Sequence, residues 1–221
     1  MQTIRPSVGR ALVAFVTAIA PVASAQSPAA TVDKAIAAWS RVRSLSGTFE
    51  QSLTNPLLRS TSVAHGDFTQ QRPNKLAIRF TDPAGDAIVA DGKFVWVYMR
   101  QAAPNQVIKT PQTDDMGVPL DLSQFLDATG SRYDLASKGA DNVGGRAATV
   151  IAMTPKKNIQ AAFTKATIWV DDADGLIRQF EVAEPSGTIR RIRLTKVTMN
   201  PALKASDFVF TVPRGAKIIT P

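Results

Sequence analysis

The chain has 221 residues, 26 Lys and Arg against 18 Asp and Glu, one His and no Cys, for a net charge of +8. That inventory excludes a disulfide framework, leaves no Cys–His pair and reduces Ser–His and His-rich metal sites to the single His65. The length suits one domain with a sizeable core, and the basic surface favours anionic partners in general.

Residues 1–25 read as an export signal. Arg5 and Arg10 supply the positive start, residues 11–20 are apolar, and Ala23-Ser24-Ala25 has the small-x-small form of a cleavage site. The apolar run is too short for a permanent membrane anchor. Cleavage after Ala25 is expected to leave a soluble periplasmic domain over residues 26–221, with the net charge lowered to +6 by loss of the two arginines. An exported chain without disulfides fits a bacterial periplasm better than a small extracellular scaffold.

A helix is predicted to start at Thr31 or Asp33 and run through Arg43, with Val32, Ile36, Trp39 and Val42 on one face. Strand patterns follow. Residues 47–53 alternate with period two, as do Leu76, Ile78 and Phe80 after Arg72-Pro73-Asn74, with Pro73 marking a strand start where no ladder donor is needed. Over residues 93–99, Phe94, Trp96 and Tyr98 share one side and Val95, Val97 and Met99 the other. Residues 101–118, rich in Pro, Gln and Asp, read as a loop. A short helix is predicted over residues 121–129, capped by Asp121, striped by Leu122, Phe125 and Leu126, and ended by Gly130. Strands resume over 147–154, 166–170, 177–183 and 188–199, punctuated by Gly144-Gly145, Asp174-Gly175 and Ser186-Gly187. The pattern is a mainly β (α+β) antiparallel meander of about ten strands. Residues 87–90 and 94–99 are apolar on both faces, so a helix or a ligand must cover the side that would otherwise meet water.

Polar clusters carry little chemistry. His65 beside Gly66 reads as structural. Asp171-Asp172-Ala173-Asp174-Gly175 lacks the later Glu of a calcium loop and reads as an Asp-rich turn. Arg191 and Arg193 share a strand face that reads as solvated, although the same pair could hold a phosphate. A Ser–Lys nucleophile has nothing pointing to it.

Ser46-Gly47-Thr48-Phe49-Glu50-Gln51, Gly66-Asp67-Phe68, Arg72-Pro73-Asn74, Asp82-Pro83, Ile88-Val89-Ala90-Asp91-Gly92-Lys93 and the Phe-x-Phe-x-x-Pro-x-Gly of Phe208, Phe210, Pro213 and Gly215 occur in this order. In that order they resemble the LolA family of periplasmic outer-membrane lipoprotein carriers. The resemblance implies an unclosed antiparallel β-barrel of ten or eleven strands under a lid of short helices, with no cofactor, no metal and no covalent chemistry. It implies a monomer that takes acylated lipoproteins from an inner-membrane ABC-type releasing complex to an outer-membrane receptor or the outer membrane itself, without nucleic-acid partners. Phe49, Phe68, Leu76, Ile78, Phe80, Ile88 and Trp96 are then expected to line the lipid cavity. Ile36, Trp39, Leu122, Phe125 and Leu126 would form the lid, and Arg72 would clasp it by donating to helix carbonyls. An ordinary closed core, and a lipid-binding sensor, regulator or general lipid carrier on the same half-barrel, are the competing readings.

Overall fold

A computed structural model describes residues 27–113, 123–126, 129–157, 159, 161 and 163–220. The export segment expected at residues 1–25 lies outside these, as do Asp121 and Leu122.

The chain opens with α1 (Pro28–Ser40), in which Ser27 Oγ accepts from the Ala30 amide at 3.2 Å and Pro28 holds the first turn. This cap precedes the expected Thr31 or Asp33, and the helix ends before Arg43. Five strands follow: β1 (Ser44–Asn55), β2 (Ser60–Gln71), β3 (Lys75–Asp82), β4 (Ala84–Asp91) and β5 (Phe94–Tyr98). β6 (Gln106–Pro111), α2 (Ser123–Leu126) and α3 (Thr129–Arg132) lead into β7 (Tyr133–Val143), β8 (Arg146–Pro155), β9 (Lys165–Asp171), β10 (Ile177–Ala183) and β11 (Ile189–Met199). A one-turn 3-10 helix (Ala205–Phe208) and β12 (Lys217–Ile219) close the sequence of elements.

All twelve strands form one sheet in the order β12-β6-β5-β4-β3-β2-β1-β11-β10-β9-β8-β7. Neighbours are antiparallel except for β12, which runs parallel to β6. β12 and β7 end the sheet without pairing to each other, so the barrel is unclosed. Apolar residues of both halves, among them Phe49, Ile78, Ile151 and Phe180, join Val32, Trp39 and Phe125 of the helices in a single buried cluster. The sheet therefore curves around its own helices.

The count is two above the expected ten. β6 lies inside the stretch predicted as a loop, because its Gln, Lys and Pro residues mask a six-residue strand that forms four pairs with β5. β7 is an exposed edge strand whose residues are mostly polar, so it lacks alternation. The expected single helix over 121–129 gives way to two one-turn helices, and Gly130 sits inside the second. Pro73 falls in the β2–β3 turn, not at the strand start. The Gly92, Gly144, Gly145, Gly175 and Gly187 turns all take positive φ, as their dipeptides anticipate.

The second apolar face of β4 and β5 is covered by neither a helix of the lid nor a ligand. The C-terminal segment crosses it: Leu203, Phe208 and Phe210 pack on Ala77, Val89 and Trp96, and Arg79 Nη1 and Nη2 donate to the Asp207 and Val209 carbonyls at 3.1 and 3.3 Å. The Phe-x-Phe signature is thus a strap on the outside of the barrel.

Candidate functional site on the concave face

Paired residues in a sheet project to the same side, so the registers define the concave face. One row runs Phe68, Ile78, Ile88, Val97, Ile108, Ile219 across six strands in order. Its first three members are buried and Val97 is partly so, but Ile108 and Ile219 are 43% and 42% exposed. The apolar row therefore begins in the enclosed core and surfaces at the β6–β12 edge. A neighbouring row aligns Leu194, Phe49, Gly66 and Phe80. There the rings of Phe49 and Phe80 meet edge-to-face at 5.4 Å over Gly66. Gly47 lies beneath Phe68 in the same way.

The interior is filled by the protein's own side chains. Phe125 of α2 lies 5.1 Å from Phe180 and 5.8 Å from Phe163, and Phe163 stacks on Tyr133 at 5.6 Å. Leu126 is buried beside them. α1 contributes Val32, Ala35, Ala38 and Trp39. Trp39 is 6% exposed, and its buried Nε1 has no hydrogen-bond partner among the described residues.

Of the predicted wall, Phe49, Phe68, Leu76, Ile78 and Ile88 are buried on this face, and Phe80 packs against them partly exposed. Trp96 is a correction. It points to the outer face, stacks on Phe210 at 5.7 Å and donates Nε1 to Asp91 Oδ2 at 2.8 Å. Burial alone would raise the Asp91 pKa, but this bond and the Phe94 and Lys93 amides hold it below the ordinary carboxylate value. Val95 and Val97 take the inner positions. Of the predicted lid, Trp39, Phe125 and Leu126 face inward, whereas Ile36 is 37% exposed. At about 100° per residue, the buried Ala35 and Ala38 define a stripe from which Ile36 is turned away.

Arg72 sits in the β2–β3 turn. Its amide donates to the Arg43 carbonyl at 2.9 Å, and its Nη1 donates to the Trp39 carbonyl at 3.2 Å in the last turn of α1. Its Cζ lies 5.6 Å from the centre of the Trp39 ring. One side chain thus touches both the backbone and the ring of a residue that seals the interior. Tyr133, Phe163 and the strap phenylalanines went unassigned in the sequence because each stands in a polar or irregular stretch.

The remaining polar groups are structural or solvated. Asp171, buried, accepts from Arg146 Nε and from Arg178 Nε at 3.0 Å, and Asp174 pairs with the same two arginines. Burial pushes the Asp171 carboxyl up, but the two guanidinium groups and the Ala173 and Asp174 amides outweigh it and leave it far below its ordinary value. Arg191 pairs with Glu181 and Arg193 with Glu50 on the outer face. His65 lies 3.7 Å from Glu50 and 3.8 Å from Asp82. Among the described residues no cluster of His, Cys, Asp or Glu could hold a metal ion.

A curved, unclosed antiparallel sheet with an apolar concavity filled by short helices defines a class of half-barrel proteins. Within that class the chain belongs to the LolA family: the model described as outer membrane lipoprotein carrier protein LolA matches residues 40–211. The chain is 28% identical over 177 residues to an outer-membrane lipoprotein carrier protein of Neisseria meningitidis, covering 80% of each chain. It is 26% identical over 209 residues to one from Bordetella avium, covering 95% of this chain and 93% of the relative. An uncharacterized conserved protein from Thermus thermophilus superposes with a TM-score of 0.55 at 13% identity, covering 89% of this chain and 100% of that one. MucB gives 0.51 at 21% identity, with 83% and 62% covered. These two structures share the fold.

Proposed function

We propose that this protein carries the acyl chains of lipoproteins released from the inner membrane and delivers them to the outer membrane. The observation that carries this reading is the concave apolar row that runs from Phe68 in the core to Ile219 at the sheet edge.

Each methylene moved out of water gains roughly 0.8 kcal/mol, so three acyl chains cannot cross an aqueous compartment unshielded. The concave wall of Phe49, Phe68, Leu76, Ile78, Phe80 and Ile88 supplies the shield. In the filled state Trp39, Phe125 and Leu126 stand in for the cargo, so loading exchanges one set of apolar contacts for another. Such an exchange is nearly balanced, which a carrier needs if it is to release what it binds. Arg72 clasps α1 in the filled state and lets go when the lid swings out. The reaction is transfer without catalysis or cofactor.

Loading from an ABC-type lipoprotein-releasing complex and unloading to an outer-membrane receptor or to the outer membrane itself complete the reading. The protein acts as a monomer, as a single domain over residues 26–221, after export and cleavage behind Ala25, with no nucleic-acid partner. Native mass spectrometry of protein purified from periplasm tests it. A lipoprotein or triacylated lipopeptide bound to the chain is the expected result. A chain that stays empty and takes up no added triacylated lipopeptide would refute the carrier reading.

A further inference from the structure

The β1–β2 hairpin carries the two most exposed large apolar side chains of the described residues, Leu57 at 85% and Leu58 at 73%, with Val63 at 52% on its second arm. The hairpin is paired in register from Ser44 and Gln71 to Asn55 and Ser60. β3, however, stops pairing at His65, so residues 60–64 extend past it by about 17 Å at about 3.3 Å per residue.

The turn at the hairpin tip has an uncommon property: none of residues 56–59 offers a free amide. Pro56 has none. Asn55 Oδ1 accepts from the Leu57 amide at 3.0 Å and the Leu58 amide at 3.1 Å, and the Arg59 amide donates to the Pro56 carbonyl at 3.4 Å. Unpaired backbone groups are an obstacle to placing a loop against an apolar medium, and here the donors among them are satisfied within the turn. The two leucines can leave water while these amides lose no hydrogen bond. Residues 51–66 include no acidic side chain, and Arg59, exposed beside the leucines, can reach an anionic group while its stem stays with them.

We propose that this tip is a membrane probe that inserts Leu57 and Leu58 into the interfacial layer of a bilayer, with Arg59 against anionic phospholipid headgroups. Lipid is favoured over a protein partner by size: three apolar side chains at the end of a hairpin fall far short of the ~800 Å² per partner of a stable protein interface. This goes beyond the carrier reading, which assigns contact with a membrane to no element, and it gives the molecule its own means of docking on a bilayer.

The absence of cysteine makes a test direct. Leu58→Cys carrying an environment-sensitive nitrobenzoxadiazole label is mixed with vesicles of phosphatidylethanolamine and phosphatidylglycerol. The expected result is a blue shift at the tip and none for the same label at Ser137→Cys on the far edge strand. Separately, unlabelled Leu57→Asp and Leu58→Asp should each weaken vesicle co-sedimentation by about tenfold or more. A tip label that stays in water, or Asp variants that bind vesicles as the wild type does, would overturn the inference. Uptake of a triacylated lipopeptide reads the interior and keeps the two readings apart. Tip insertion without uptake retains the probe and removes the carrier; uptake without insertion does the reverse.

Discussion

Arg72 is exposed, yet its guanidinium reaches the Trp39 carbonyl at 3.2 Å and its own backbone is tied to Arg43. A bond this close to solvent contributes little to stability, less than about 1 kcal/mol. On the carrier reading proposed above, its role is to favour one lid position over another. Arg72→Leu should therefore melt within about 3 °C of wild type but change how tightly an acyl probe is held and how completely it is passed on; transfer equal to wild type in a donor-to-acceptor vesicle assay would remove the clasp role. Asp171 behaves oppositely, because it is buried between Arg146 and Arg178. Its folded pKa is depressed, so the stability it contributes is complete above the ordinary carboxylate value and disappears as pH falls through the lower, folded value. Denaturant melts should show stability flat near neutrality and declining below about pH 4. Asp171→Asn, which leaves Asp174 as the one carboxylate facing Arg146 and Arg178, should cost about 2 kcal/mol and flatten that acid limb. The Asp-rich turn was visible in the sequence, but its partners were not, since Arg146 lies on a different hairpin.

Among the elements, β1 and β2 show how the concave face is built. A Cβ placed on Gly66 would meet the Arg79 carbonyl and come within 2.6 Å of Phe49 Cε1. Gly66→Ala should thus disturb the Phe49–Phe80 contact and the β2–β3 ladder together, lowering stability by about 2 kcal/mol in chemical melts. An alanine at Gly139, where the added carbon meets nothing within 4 Å, offers a contrast, although its φ of +92° adds backbone strain without a clash. Period-two alternation made these central strands legible, with Leu76, Ile78 and Phe80 placed on one side. It could not say which side of β5 faced inward, because both are apolar. The resemblance alone puts Trp96 on the wall, while the strap carrying Phe208 and Phe210, about 110 residues further on, decides that it faces out. Ile36 fails for a related reason. Four-residue spacing from Val32 put it on the stripe, but small Ala35 and Ala38 are what α1 presses on the sheet, so near the β9–β10 turn that a Cβ on Gly175 would stand 3.1 Å from Ala38 Cβ. Close packing chose the alanines, and hydrophobicity patterns give alanine little weight.

At the scale of the whole molecule, an unclosed sheet must do something with its last strands. In a soluble closed barrel an inward row would be buried from end to end. Here the row loses its cover gradually, from Ile78 at 1% exposed to Ile88 at 8% and then to Ile108 and Ile219, so the apolar interior has a side that opens toward β6 and β12. On the carrier reading proposed above, an acyl chain entering from that side would meet a continuous apolar row from Ile88 to Ile219. The consequence separates folding from carrying. Ile108→Asp with Ile219→Asp alters exposed positions and should leave the melting temperature within about 3 °C of wild type. The same charge at Ile88, buried against Ile78 and Val97, should prevent a stable fold. If the open rim forms part of the carrier surface, the double variant should hold a triacylated lipopeptide about tenfold less tightly despite its intact fold, read as the midpoint of a fluorescence displacement titration. An unchanged midpoint would mean that cargo stays within the helix-covered half, and that β6 and β12 serve only to finish the sheet.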